Sequence, residues 1–147
     1  MHQEIENVGV LLGRRIIDVI TKDLSNVHQT QLDIVKYLCV QFWQYVFGKQ
    51  IDNLKTNNSG TFVLYDTNKF LGRISSQPLP NGQKNPDCLD RQITYSFYIV
   101  GLIKGALKNL GITAKGQPIN VTIDKIDQPV QPFEIQIKIE VPPVKDE

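Results

Sequence analysis

The sequence predicts an α+β fold of the α/β-plait-like kind, with helices packed on one face of a twisted four-stranded antiparallel sheet. Three observations predict it. Two N-terminal segments carry apolar residues at helical spacing, and a third such segment lies past the middle of the chain. Two segments near the C-terminus alternate strictly between apolar and polar residues. A short β-rich pair between the second and third helical segments completes the order helix, helix, strand, strand, helix, strand, strand.

The first helix is expected over Glu4 to Asp23. Ile5, Val8, Leu12, Ile16, Val19 and Ile20 fall on one face at about 100° per residue. Val10, Ile17 and Leu24 widen that face, while Glu6 and Asp23 interrupt it. The arc covers roughly half the circumference, where a helix covering only its own core needs a stripe of about 100°. The second helix is expected from Gln31 to Phe47. Thr30 and Asp33 resemble a capping box, and Gly48 stands where a C-terminal cap belongs. Its wide apolar arc holds Leu32, Ile34, Val35, Leu38, Cys39, Phe42, Tyr45 and Val46, with Trp43 and Phe47 at the edge. Ile51 and Leu54 allow a further helical turn over Lys49 to Lys55.

Asn57-Asn58-Ser59-Gly60 is a turn signal. Thr61 to Tyr65 reads as a strand, with Lys69 to Ser75 as its partner across an Asp66-Thr67-Asn68 turn. Gln77 to Asp90 holds three prolines and a glycine and reads as a long mobile loop. The third helix is expected from Ile93 to Leu110. Gly101 and Gly105 share one side of it. Each costs about 1 kcal/mol against alanine, so a close approach of another backbone is the expected reason for them. Strands follow at Ile119 to Asp124 and Phe133 to Val141. A length of 147 residues fits one domain, 1–147, with the loop at about 77–90.

Composition narrows the function classes. Sixteen basic and fifteen acidic residues leave a net charge of +1, which removes the general electrostatic drive toward nucleic acid. Cys39 and Cys88 form no CxxC pair or disulfide framework. Glu4 and Glu6 stand where a signal peptide would be apolar, and no apolar run approaches the ~20 residues that span a bilayer. A cytoplasmic chain is expected. His2 and His28 have no second histidine at metal spacing, so no metal or cofactor is expected. GxxxxGK[ST] and GxSxG motifs do not occur, so catalysis is not expected. Cys39 lies on an apolar helix face and reads as a small buried hydrophobe. Asp18, Asp23, Asp33 and Asp52 read as solvated faces, and the Phe42, Trp43, Tyr45 and Phe47 group as packing residues.

Several stretches resemble a known family. LDIVKYLC (Leu32 to Cys39) continues through Phe42-Trp43 and Val46-Phe47 into KQIDNLKTNNSGTFVLYD (Lys49 to Asp66). GLIKGALKNLGI (Gly101 to Ile112) and VGVLLGRRIIDVITKD (Val8 to Asp23) complete the set. Together they resemble the subunit 6 family of small TRAPP (transport protein particle) subunits, over about Glu4 to Val141 with a break at the Gly72 to Gln92 loop. The resemblance implies a scaffold subunit that heterodimerises with a subunit 3 homologue, mainly through its first two helices. It implies other TRAPP subunits as further partners, and a Rab GTPase only through the assembled exchange complex. Peripheral Golgi and ER membrane association would likewise come through the complex. The expected interface residues are Val8, Leu12, Ile16 and Ile20 on the first helix, with Leu32, Val35, Leu38 and Phe42 on the second. Trp43, Gly101 and Gly105 are expected to be structural. The subunit 3 relatives carry a lipidated cysteine between the first two helices; Leu24 to Thr30 here has none. A second reading stays open: an apolar-ligand or sensor domain with a groove between the third helix and the sheet.

Overall fold

Alternation along the chain builds the sheet, and the computed structural model describes it over residues 2–22, 31–57, 60–68, 80–82, 88–110, 120–126 and 133–141. The strands are β1 (Asn53–Thr56), β2 (Thr61–Asn68), β3 (Asn120–Ile126) and β4 (Phe133–Glu140). They form one antiparallel sheet in the order β1-β2-β4-β3. Phe62 and Leu64 on β2, and Ile135, Ile137 and Ile139 on β4, turn inward and are buried. The intervening Lys138 and Glu140 face the other side and pair at 3.2 Å.

Two strands differ from expectation. Lys49 to Lys55 does not extend the second helix; its end becomes β1, where Leu54 pairs with Leu64. The Ile51–Leu54 spacing of three suits a helix, but Ile51 stays outside the strand and of the two only Leu54 faces inward from β1, so the backbone overrides the local spacing. Gly48 takes φ 75° and ψ 12°, a left-handed cap that ends the helix and donates its N–H to Gln44 O. Nor is Asp66-Thr67-Asn68 a turn. These residues continue β2 and pair with Ile135, Glu134 and Phe133 of β4. The proposed Lys69 to Ser75 strand lies outside the described residues, as do the Leu24 to Thr30 loop, His28 and the Thr30 cap.

The helices are α1 (His2–Ile20), α2 (Gln31–Tyr37), α3 (Trp43–Phe47) and α4 (Cys88–Leu110). A π-helical turn, Leu38–Phe42, joins α2 and α3 into one continuous rod. There the Trp43 N–H reaches Leu38 O and Val40 O and steps over Cys39 O. The bypassed carbonyl accepts from Ile51 N–H at 3.0 Å, which ties the segment after the helix back onto it. α4 begins at Cys88 where Ile93 was expected, about one and a half turns earlier, taking Cys88 to Asp90 out of the loop. Its first turns bury Gln92 and Ser96, polar residues that an apolar period does not reveal.

α4 is buried on both sides. Ile99, Leu102, Ile103, Ala106 and Leu107 join the core with Leu64, Ile137 and Ile139 of the sheet. Side chains at most 1% exposed thus fill the region where a ligand groove was open to expectation. On its outer side α4 meets α1 backbone to backbone. A Cβ on Gly101 would strike Glu6 O, and one on Gly105 would strike Val10 O. A Cβ on Gly13 would strike Leu102 O, and one on Gly9 would lie 2.5 Å from Tyr98 O. Lys104 and Glu6 add a 3.0 Å ion pair across the seam.

A polar cluster fastens the rod to the sheet. Asp66 occupies an inward β2 position beside Phe62 and Leu64 and is 3% exposed. Lys49 Nζ donates to Asp66 Oδ1 at 2.8 Å, Asp52 Oδ1 at 2.7 Å and Thr67 O at 3.0 Å. Asp52 Oδ2 accepts from Thr67 N–H at 2.8 Å. Burial raises the pKa of Asp66, an effect the Lys49 ammonium only partly offsets. Burial opposes charge on Lys49 and Asp52 too. Their mutual hydrogen bond prevails, together with that of Asp66 on Lys49 and those of Thr67 on Asp52. Lys49 is held above its ordinary value and Asp52 below. The Trp43 indole N–H favours the charged Asp66, yet it is not in hydrogen-bond geometry with any described residue.

Two outcomes are expected. Gly105→Ala and Gly13→Ala each drive a methyl into a facing carbonyl and destabilise the chain by about 1–3 kcal/mol in denaturant unfolding. Equal midpoints for wild type and variants would refute the close-approach reading. Lys49→Met leaves Asp66 buried without a counter-charge and costs about 2 kcal/mol near neutrality. A carboxyl with a raised folded pKa binds its proton more tightly in the fold, so stability is gained as pH falls through that range. The Lys49→Met penalty therefore shrinks in acid, and a pH-independent penalty would contradict the assignment.

Candidate protein-docking site

α1 turns Gly9, Gly13 and Ile17 toward α4, and Ile16 and Ile20 pack partly against the core, so Val8, Leu11, Leu12 and Val19 are the apolar residues left facing outward. Ile17 is 1% exposed, whereas Val8 is 58%, Leu11 60%, Leu12 38% and Val19 62% exposed. Ile5, Ile16 and Ile20 are half-buried beside them. Ile17, which merely widened the arc in the sequence, is the fully inward one, and Val10 beside it is half-buried. Those that headed it, Val8, Leu12 and Val19, lie in solvent. This division follows from Gly9 and Gly13, whose missing side chains let the backbone of α4 approach on their side alone.

The second helix distributes its expected interface residues differently. Val35, Leu38 and Phe42 are each 0% exposed and belong to the chain's own core. They are removed from the candidate face, because a side chain enclosed on all sides offers no area to a partner. Leu32 is half-buried against the same core. Trp43 is fully enclosed, with its ring 4.6 Å from that of Phe47. Tyr45 is the large hydrophobic residue of this rod that stays outside, at 59% exposed, on the same side as polar residues such as Gln41 and Gln44 that are also exposed.

Leu11, Arg14, Arg15, Asp18 and Asn109 line a depression of about 250 Å³ at the edge of the exposed α1 stripe. Asn109 organises its floor. It donates through Nδ2 to Arg14 O at 3.2 Å and Asp18 Oδ1 at 3.0 Å, and accepts from Arg14 Nε at 3.3 Å. Sequence reasoning missed Leu11, Arg15 and the glycine pair Gly9 and Gly13. The signal for the glycines was present, since they repeat the four-residue spacing of Gly101 and Gly105.

Little in the described residues suggests chemistry. Burial, helped by the charge of Asp66, pushes the Cys39 thiol up to about 12, far from a reactive thiolate. Among the described residues no three of His, Cys, Asp and Glu are grouped as metal ligands. Among them, too, no helix is long and apolar enough to cross a membrane. The feature that calls for a function is the apolar face of α1.

Comparison with known proteins agrees with that emphasis. The family model described as transport protein particle (TRAPP) component matches residues 1–140. The human trafficking protein particle complex subunit 6B is 38% identical over 135 residues, covering 92% of this chain and 77% of the relative. Human subunit 6A is 31% identical over 133 residues, covering 90% and 76%. Among solved structures, a subunit 3 of the same complex from Naegleria fowleri, covalently bound to palmitic acid, superposes with a TM-score of 0.69. It is 16% identical, with 99% of this chain and 82% of that one covered, and therefore speaks to the fold. Matched along nearly its whole length, the chain belongs to the TRAPP component family.

Proposed function

We propose that this chain is a non-catalytic scaffold subunit of a TRAPP vesicle-tethering and Rab guanine-nucleotide-exchange complex. It acts in ER-to-Golgi and Golgi transport as one domain, and heterodimerises with a subunit 3 homologue through the outer face of α1. Other TRAPP subunits are its further partners, and a Rab GTPase is engaged only by the assembled complex. The chain works in the cytoplasm, peripheral to Golgi and ER membranes, and reaches them through the complex.

The observation that carries this reading is the exposed stripe of Val8, Leu11, Leu12 and Val19 along one side of a single helix. Soluble monomers avoid contiguous apolar patches of this kind, because leaving the area in water forgoes about 25 cal/mol per Å². Ile16 and Ile20 are half-buried against the chain's own core and flank the stripe with only part of their surface. Subunit 6A and 6B as relatives, and a subunit 3 as fold neighbour, support a partner of the same architecture. The palmitate of that neighbour is not carried over to Cys39, which is enclosed and whose thiol is pushed up by burial.

Co-expression with a subunit 3 homologue, followed by mass measurement, should yield a one-to-one complex. Leu11→Asp and Leu12→Asp should each weaken that complex by about tenfold or more. The isolated Leu11→Asp variant should unfold near the wild-type midpoint, because Leu11 is 60% exposed, whereas Leu12, 38% exposed, should lose some stability, about 1 kcal/mol, on the same change. Leu38→Asp should instead fail to fold, as it places a charge in the core. A chain that stays monomeric beside the subunit 3 homologue would refute the proposal.

A further inference from the structure

One charged residue stands inside the apolar stripe. Val8, Leu12, Arg15 and Val19 follow the spacing i, i+4, i+7, i+11, which aligns them along one side of a helix, with Leu11 alongside. Arg15 is exposed, and among the described residues it has no hydrogen-bond or ion-pair partner. It also lines the depression shared by Leu11, Arg14, Asp18 and Asn109. The hydrogen bonds there leave Arg15 out: Asp18 Oδ1 accepts from the neutral Asn109 amide and Asn109 Oδ1 accepts from Arg14, so Asp18 supplies one negative charge against two positive ones. Two guanidiniums thus face one carboxylate, with an unanswered positive charge at the middle of the face.

A partner laid over Val8 to Val19 must cover Arg15 and strip water from it. A guanidinium closed off without a counter-charge opposes binding, whereas one met by a carboxylate supports it and fixes register. Resting on the heterodimer reading above, we infer that Arg15 is the specificity-determining residue of the α1 face. It selects a partner surface that is apolar and carries an aspartate or glutamate side chain, which docks at the Arg14–Arg15 depression. A second copy of this chain fits less well. It can answer Arg15 with Glu4 or Asp18 only in off-centre antiparallel registers, which leave Val19 or Val8 uncovered.

The test uses the full chain and the subunit 3 homologue, with dissociation constants and association rates measured at low and high ionic strength. Arg15→Gln should weaken binding by roughly 30-fold and flatten the salt dependence of the association rate. Arg15→Glu should weaken it further, Arg15→Lys should retain most of the affinity, and all three should keep the wild-type unfolding midpoint. If Arg15→Glu binds within about twofold of wild type while Leu12→Asp still disrupts the complex, this inference is overturned and the heterodimer reading stands. If the wild-type chain ignores the subunit 3 homologue, or pairs with itself in preference to it, both are overturned.

Discussion

The backbone-to-backbone approach of α1 and α4 governs the arrangement of this molecule. Four glycines, Gly9 and Gly13 on one helix and Gly101 and Gly105 on the other, remove the side chains that would hold the helices apart. Carbonyl oxygens of each helix then occupy the space a methyl would need on the other. α4 is enclosed between α1 and the sheet, which explains why so many of its residues are buried. The second consequence lies on the far side of α1. A helix that contacts its neighbour through glycines hides little of its own apolar surface. Val8, Leu11, Leu12 and Val19 therefore remain outside, and the contact that completes the fold also produces the face available for docking.

The junction between the second helix and the sheet relies on polar groups in place of close packing. The π-helical turn releases Cys39 O to hold Ile51, and Gly48 reverses the backbone between them. Lys49 then bridges Asp52 and Asp66, so that a charge buried on β2 is answered from the segment that leads into β1. Breaking such a pair costs more than forming it contributes, so its effect is to specify where β1 begins. Edge strand, helix end and buried carboxylate are thereby placed by one set of contacts.

These features sit in a chain whose relatives are named as subunits of a trafficking complex. Among the described residues the space between α4 and the sheet is packed with apolar side chains, burial raises the pKa of the Cys39 thiol, and the exposed large apolar side chains lie mainly along one side of α1. The chain's membership of the TRAPP component family accompanies an apolar face on α1 that its own core does not cover. Arg15 gives that surface a directional element, which apolar area alone lacks.

Periodicity by itself determined the fold class. Strict alternation on β3 and β4 and the three-to-four-residue spacing of the helices arise from local backbone geometry, which any stretch of chain expresses on its own. Motifs such as GLIKGALKNLGI made the family legible, again because they are contiguous. Tertiary structure decided what no local pattern could. Lys49 to Lys55 carries apolar residues spaced to suit a helix, and only the Cys39 carbonyl and the pairing with β2 make its end β1. Asp66 to Asn68 has a turn's composition, and only Lys49 makes an inward aspartate tolerable in a strand. The sides of α1 are alike in hydrophobicity, and the inward one was set by glycines meeting glycines some ninety residues away. Apolar character says that a face will be covered; which neighbour covers it depends on contacts that exist only once distant segments are packed together.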